Sequence, residues 1–284
     1  MPVSLDQIVA ATRGKLAETR ALRDLAKLEQ KAEAHVPRGF QRALERASKN
    51  GVAVIAELKK ASPSRGLIRA EFDPERLAKE LEAAGAAALS VLTDAEFFQG
   101  SLENLLQASA SVRLPCLRKD FIVDEFQIVE ARANRADAIL LIVAALSQTE
   151  LTKLTKTAVQ WGLDVLCEVH DKEEVGRAVD AGCSLIGVNS RDLRTFKVDL
   201  ETAIRLGELI PQHASGVAES GIHSGADMAR LRAAGYRAFL IGESLMAADS
   251  PGKALRRLLA DAGAEYPETV SKEPEKQTKR SLRR

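Results

Sequence analysis

Val52-Ala53-Val54-Ile55-Ala56-Glu57-Leu58-Lys59-Lys60-Ala61-Ser62-Pro63-Ser64 is the stretch on which the fold of this chain turns. It begins as an unbroken apolar run that reads as a buried strand. It then carries a carboxylate and two ammonium groups into a Ser-Pro-Ser turn. A charge in a buried strand costs several kcal/mol unless it is paired or used. Placing such groups where a strand gives way to a loop is how a parallel barrel builds a site at its mouth.

The pattern repeats along the chain. Leu117-Arg118-Lys119-Asp120-Phe121 and Glu219-Ser220-Gly221-Ile222 also close apolar runs with charged or hydroxyl groups. Eight such runs follow one another: Val52–Leu58, Ala87–Thr93, Leu114–Leu117, Ala138–Val143, Asp164–Val169, Ser184–Val188, Ser215–Ala218 and Ala238–Ile241. Their starts lie roughly 20 to 35 residues apart, the length of one β-α unit. They are continuous in hydrophobicity rather than alternating, as expected for strands covered on both faces.

Helical segments lie between the runs and carry start and stop signals. Asp73-Pro74 offers an N-cap with proline at the first helical position. Ser147-x-x-Glu150 and Asp171-x-x-Glu174 have capping-box spacing. Gly85, Gly162, Gly182 and Gly235 fall where helices should stop in a left-handed residue. Eight strands alternating with eight helices predict an α/β fold, a (β/α)8 TIM barrel. The alternative architecture, an open doubly wound sheet, usually shows a G-x-G-x-x-G turn after its first strand, and this chain has none.

Residues 1–50 predict an N-terminal helical extension packed on the barrel. Helices are expected over Val3–Arg13 and Lys15–Lys31, with a break at Pro37 and Gly39 and a third helix running to Gly51. Residues 51–264 then form the catalytic barrel. Residues 265–284 are polar and rich in Lys, Arg and Glu, and are expected to stay disordered. Their Lys279-to-Arg284 ending offers an anion-binding segment, against the plainer expectation of a solvated tail.

Successive side chains on a strand face opposite ways, so residues two apart share a face. Glu57 thus pairs with Lys59, Lys119 with Phe121, and Asn189 with Arg191. Glu168 closes the fifth run and Glu219 the seventh. If these faces point inward, three carboxylates and three cations converge at one mouth, each cation near a carboxylate. Such balance limits desolvation and suits acid–base work. The bland alternative is a structural ion-pair network filling a wide barrel. Ser220-Gly221 and Gly242-Glu243-Ser244 follow the seventh and eighth runs, the usual phosphate loops of this fold. The segment Glu243–Ala247 is then expected to present a helix start to phosphate, with the Glu243 carboxylate pointing away.

Composition narrows the function classes. The chain has 284 residues, 45% of them hydrophobic, and a formal charge of +1. That size buries a sizeable core, and the near-neutral balance argues against a nucleic-acid partner. Cys116, Cys167 and Cys183 are too few and too scattered for a disulfide framework. Cys116 and Cys167 read as small buried hydrophobes. The four histidines, His35, His170, His213 and His223, lie far apart, so no metal site is expected. No run approaches the length of a membrane span, and no signal peptide opens the chain. A cytoplasmic protein without membrane partners is expected, as a monomer or weak homodimer.

Ile55 to Ser64, Ser90-Val91-Leu92-Thr93-Asp94 with Phe97-Phe98-Gln99-Gly100, and Leu117 to Ile122 resemble signature segments of the indole-3-glycerol phosphate synthase family. Gly187-Val188-Asn189-Ser190-Arg191-Asp192-Leu193 and Ala218 to Ile222 add to the resemblance, which spans residues 1 to 262. It implies a phosphorylated substrate, 1-(2-carboxyphenylamino)-1-deoxyribulose 5-phosphate, converted to indole-3-glycerol phosphate, CO2 and water with no cofactor. It implies Lys119 as general acid toward the substrate ketone and Lys59 as partner of the anthranilate carboxylate. Glu57 and Glu168 match carboxylates that stabilise a cationic intermediate and move protons. Asn189 and Arg191 match groups that position sugar hydroxyls and carboxylate, and Glu219 joins the catalytic set.

Ser62, Ser220, Gly221, Gly242 and Ser244 fall on the substrate- and phosphate-binding side, and Phe98 and Phe121 match walls of the aromatic pocket. Glu243 departs from the small residue more usual after that glycine. The absence of a fused second barrel implies a single activity. A lysine among other cations is expected to have a lowered pKa, suiting an acid near neutrality. Two other identities stay open: another phosphate-binding barrel isomerase, and a catalytically silent barrel acting as a binding subunit.

Overall fold

Each of the eight apolar runs forms a strand: β1 (Ala53–Leu58), β2 (Ala88–Leu92), β3 (Cys116–Lys119), β4 (Ala138–Ile142), β5 (Asp164–Val169), β6 (Leu185–Asn189), β7 (Ser215–Glu219) and β8 (Ala238–Ile241). All pair in parallel, in chain order, and β8 closes on β1. The result is a closed (β/α)8 TIM barrel, as the sequence predicts. The structure, a computed structural model, describes residues 4–192 and 195–263. The expectations for residues 265–284 lie outside the described residues.

Two shells of apolar side chains hold the barrel, and strand parity separates them. On β1, Val54, Ala56 and Leu58 face outward into the layer under the helices, while Ala53 and Ile55 face inward. Leu117, Ala138, Leu140, Leu166, Leu185, Val217 and Leu240 share that interior. Burying a leucine-sized side chain contributes about 1.5–3 kcal/mol, so continuous apolar strands outcompete any alternating arrangement.

Helices return the chain between strands, and their ends follow the local signals. Asp73 caps Pro74–Ala83, and Ser147 forms a reciprocal capping box with Glu150. Asp171 caps Lys172–Asp180, but the Glu174 side chain turns instead to the backbone N–H of His170. Gly85, Gly162, Gly182 and Gly235 are all left-handed, and the residue after each donates its N–H back to a carbonyl five residues earlier. That is the Schellman ending.

The N-terminal helices differ from expectation at their boundaries. They are α1 (Leu5–Ala21), α2 (Leu25–Ala34) and α3 (Phe40–Ser48). Gly14 lies inside α1, because one exposed glycine costs only about 1 kcal/mol. The chain turns instead at Asp24, whose side chain accepts the Lys27 N–H. Gly39 starts α3 in a left-handed conformation, and α3 stops at Ser48 rather than Gly51.

α3 closes the lower end of the barrel. Phe40 and Leu44 join the interior cluster beneath Ala53 and Leu185. Just before it, Arg38 donates to the carboxylate of Asp137, whose other partners include the Cys116 N–H at 2.7 Å and His35 Nε2 at 3.3 Å. Asp137 is wholly buried. One cysteine expectation is overturned: Cys167 and Cys183 are joined in a disulfide. Cys167 faces outward from β5, and the chain returns through Lys172–Asp180 to bring Cys183 beside it, a proximity that linear spacing conceals. Cys116 remains a buried free thiol.

Candidate active site

On the odd-numbered strands the inward face continues upward from the apolar interior into polar groups. Glu57 follows Ile55, Lys119 follows Leu117, Glu168 follows Leu166, and Glu219 follows Val217, each two residues on. Register puts these groups at one height: Glu57 pairs with Ser90, Leu92 with Lys119, Ile142 with Glu168, and Asn189 with Glu219. They therefore meet at the C-terminal mouth.

Lys119 stands at the centre. Its Nζ lies 2.8 Å from Glu168 Oε2 and 2.8 Å from Glu219 Oε2. Asn189 Nδ2 donates to the other Glu168 oxygen at 3.1 Å. Lys59 Nζ pairs with Glu57 Oε1 at 2.8 Å, and the buried Ser90 hydroxyl approaches Glu57 Oε2 at 3.5 Å. Two glycines make room for these carboxylates. A Cβ at Gly187 would collide with Glu219, and one at Gly242 with Glu57.

The electrostatics correct one expectation. Lys119 sits among carboxylates rather than cations. Burial acts to lower its pKa, but Glu168, Glu219 and Glu57 together outweigh that, and it rises. The two carboxylates beside it diverge. Burial pushes Glu168 up, yet Lys119 and His170 prevail and hold it below the usual carboxylate range. Burial dominates at Glu219, which is pushed up to about 7 against the pull of Lys119. Its Oε1 is buried with no hydrogen-bond partner. Two neighbouring carboxyls with opposed shifts are the usual mark of divided acid and base roles.

Around this cluster opens a cleft that spans about 770 Å³, the solvent space at its mouth included. Phe98 and Phe121 form one wall, their ring centroids 6.1 Å apart and tilted by 38°. Ser62, Arg191 and Ser220 also line it. A second hollow adjoins it, lined by Ser220, Gly221, Gly242 and Ser244, with Lys59 and Arg191 facing in. Ser220 and Gly221 are both left-handed, at φ 65° and 76°. The short helix Glu243–Met246 begins there.

Contrary to expectation, Glu243 does not point away. Its carboxylate accepts from Arg65 Nε at 2.7 Å and Arg191 Nη2 at 3.0 Å. Burial acts against its charge, but the hydrogen bond from Arg65 and the charge of Arg191 hold its pKa below the carboxylate range.

All the residues singled out in the sequence thus lie around two adjoining hollows. Others there were missed. Ser90 sits mid-strand in a run that reads as wholly apolar. Phe196 and Leu240 also line the main cavity. His170 touches Glu168 from just beyond the strand end, its Nε2 3.4 Å from Oε1. The same two-apart rule that pairs Glu57 with Lys59 finds His170 from Glu168.

A parallel barrel with an acid–base cluster at its C-terminal mouth, beside small-residue loops after β7 and β8, defines an enzyme of the phosphate-binding barrel class. Residues 5–258 match the family model described as indole-3-glycerol phosphate synthase. The indole-3-glycerol phosphate synthase of Koribacter versatilis (strain Ellin345) is 61% identical over 259 residues, covering 91% of this chain and all of that relative. The chain belongs to the indole-3-glycerol phosphate synthase family, and its activity is that carboxy-lyase step of tryptophan biosynthesis.

Solved structures share the fold at low identity. Thiamine phosphate pyrophosphorylase from Pyrococcus furiosus has a TM-score of 0.57 at 18% identity over 76% of this chain and 97% of its own. A mandelate oxidase mutant with an FMN adduct has a TM-score of 0.59 at 17% identity over 83% and 92%. No helix among the described residues is long and apolar enough to cross a membrane.

Proposed function

We propose that the mouth cluster carries out the family's ring closure, decarboxylation and dehydration with its residues in divided roles. The phosphate of the substrate enters the hollow under Ser220, Gly221, Gly242 and Ser244, where small residues let backbone N–H groups approach. The anthranilate ring lies against Phe98 and Phe121, and its carboxylate meets Lys59. Asn189 and Arg191 orient the sugar hydroxyls and that carboxylate. Ser62 supports the loop above.

Lys119 donates to the ketone oxygen as the ring carbon attacks. Its raised pKa keeps it an ammonium across the neutral range, so it acts as a fixed donor in a largely buried setting. Glu219, near neutrality, is the group able to exchange a proton there. Glu57 and Glu168 stay close to the developing positive charge. The single observation that carries this division is Lys119 held at 2.8 Å between two carboxylates whose acidities diverge.

Around this chemistry we place a helical extension over residues 1–50 on a barrel over 51–264, working as a cytoplasmic monomer or weak homodimer. The experiment is indole fluorescence on mixing purified protein with carboxyphenylamino-deoxyribulose phosphate, without added metal. Growth of the signal with indole-3-glycerol phosphate as product is expected. Folded protein that binds the substrate without turning it over would overturn the assignment of roles.

A further inference from the structure

His170 lies outside the set of residues to which the resemblance assigns chemistry, yet it is built into the cluster. It follows Glu168 by two positions, so its side chain projects to the same side, just beyond the end of β5. Glu174, in the first turn of helix Lys172–Asp180, fixes the ring. One Glu174 oxygen accepts the His170 backbone N–H at 2.7 Å and approaches Nδ1 at 3.1 Å. Glu174 is itself tied down, its N–H donating to Asp171 at 2.9 Å.

With Nδ1 engaged, the opposite edge of the ring can face only one way. Nε2 is buried, makes no hydrogen bond, and stands 3.4 Å from Glu168 Oε1. Glu168 is thus ringed by Lys119 on one oxygen and by Asn189 and His170 on the other. The charged groups facing the imidazole are Glu168 from β5 and Glu174 from the following helix. Lys119 from β3 stands on the far side of Glu168.

We infer that His170 is a positioning residue for Glu168. Clamped by Glu174, its imidazolium fixes the rotamer and keeps the charge of the Glu168 carboxylate, so that Lys119 and the substrate meet an ionised, immobile group. This rests on the proposed role of Glu168. The inference agrees with the upward displacement of His170 to about 10, where burial opposes the charge but the two carboxylates prevail. A ring between two carboxylates gains more from its proton than from losing it.

Two measurements test it, one of them independent of turnover. In 15N spectra of the free wild-type protein at pH 8, compared with His170→Gln to assign the signal, the ring should appear as imidazolium. A free histidine, with a pKa of about 6.5, would be neutral there. Finding a neutral ring overturns the inference even if the enzyme is fully active.

In the kinetic arm, wild-type turnover is confirmed first, which checks the underlying function separately. His170→Ala should then lower kcat by about tenfold or more with a smaller change in KM. Losing the cation raises the Glu168 pKa, so the acid limb of the kcat profile should move toward neutral pH. His170→Gln, which keeps a donor near the Nε2 position, should recover most of kcat. Glu174→Gln, which keeps an acceptor for the ring but removes the clamp's charge, should fall between. If His170→Ala lowers thermal stability but leaves kcat and the acid limb unchanged, His170 is merely structural and the inference fails. Should His170→Ala not fold, the acid limb of His170→Gln, which also loses the cation, should still move toward neutral pH, and an unmoved limb overturns the inference.

Discussion

At the scale of single residues, the site depends on an ammonium held between two carboxylates and on the space that glycines leave for them. Lys119→Ala should cut turnover by about 10²–10⁴-fold, the usual contribution of a positioned proton donor. Its circular dichroism should stay that of the wild type. Turnover equal to wild type would remove Lys119 from the chemistry. Gly187→Ala should push the Glu219 carboxylate off Lys119 and lower kcat by about tenfold or more, with a loss of about 1–3 kcal/mol in stability from overpacking. An unchanged kcat would show that the placement of Glu219 is immaterial. Ser220→Asp should raise KM through repulsion of the phosphate while kcat changes little, and an unchanged KM would take Ser220 out of that hollow. The groups that end strands, Glu57, Lys119, Glu168 and Glu219, could be read from charge interrupting apolar runs. Gly187 and Ser90 could not, because their meaning lies in a neighbour on another strand. The acidity of Lys119 also could not, because counting charges at the mouth does not say which sign stands nearest.

At the scale of elements, helix ends were written plainly in glycines and capping residues, with one informative exception. Helix Glu125–Ala133 ends in the same Schellman arrangement as its glycine-ended relatives, but Arg135 occupies the left-handed position at φ 66°. The Ala136 N–H still returns to Ala131 at 3.0 Å. A non-glycine residue there costs about 1–2 kcal/mol. Arg135→Gly should therefore raise stability by about 1 kcal/mol after the entropy it adds to the unfolded chain. Thermal melting checks this, and a fall in stability would mean that the arginine side chain contributes more than the strain costs. The α1 boundary shows the opposite limit of local reading. Gly14 signals a break, but a long helix absorbs the small penalty and stops where Asp24 provides a cap. The Cys167–Cys183 bond was illegible for the reason that Gly187 was. It joins an outward strand position to the far end of the next helix, and the return of that helix along the strand brings them together.

At the scale of the whole molecule, the barrel was legible because eight buried strands demand cover on both faces. The anchoring of the N-terminal helices was not, since Arg38 and Asp137 lie 99 residues apart. Asp137 is wholly buried, and its charge is met by Arg38, His35 and backbone N–H groups. Burial raises its pKa, but the bonds from His35 and Arg38 prevail and hold it below the ordinary 3.8. The unfolded chain thus takes up this proton first as pH falls. The stability due to this group is present above about pH 4 and is lost as pH drops toward the lower folded value. Asp137→Asn should cost about 1–3 kcal/mol at pH 7, because it takes the carboxylate from the partly buried Arg38 and leaves hydrogen-bond donors unmet. Its melting temperature should also fall less steeply in acid than the wild type's. Parallel acid curves would show that Asp137 does not govern this response. Among the described residues, the plug formed by Phe40 and Leu44, with the apolar layers above it, closes the lower end of the barrel and leaves the C-terminal mouth as the doorway to the site. Everything the reaction consumes or discards must use that doorway. On the roles proposed above, the carbon dioxide and water set free beside Lys119 share that mouth with the phosphorylated product.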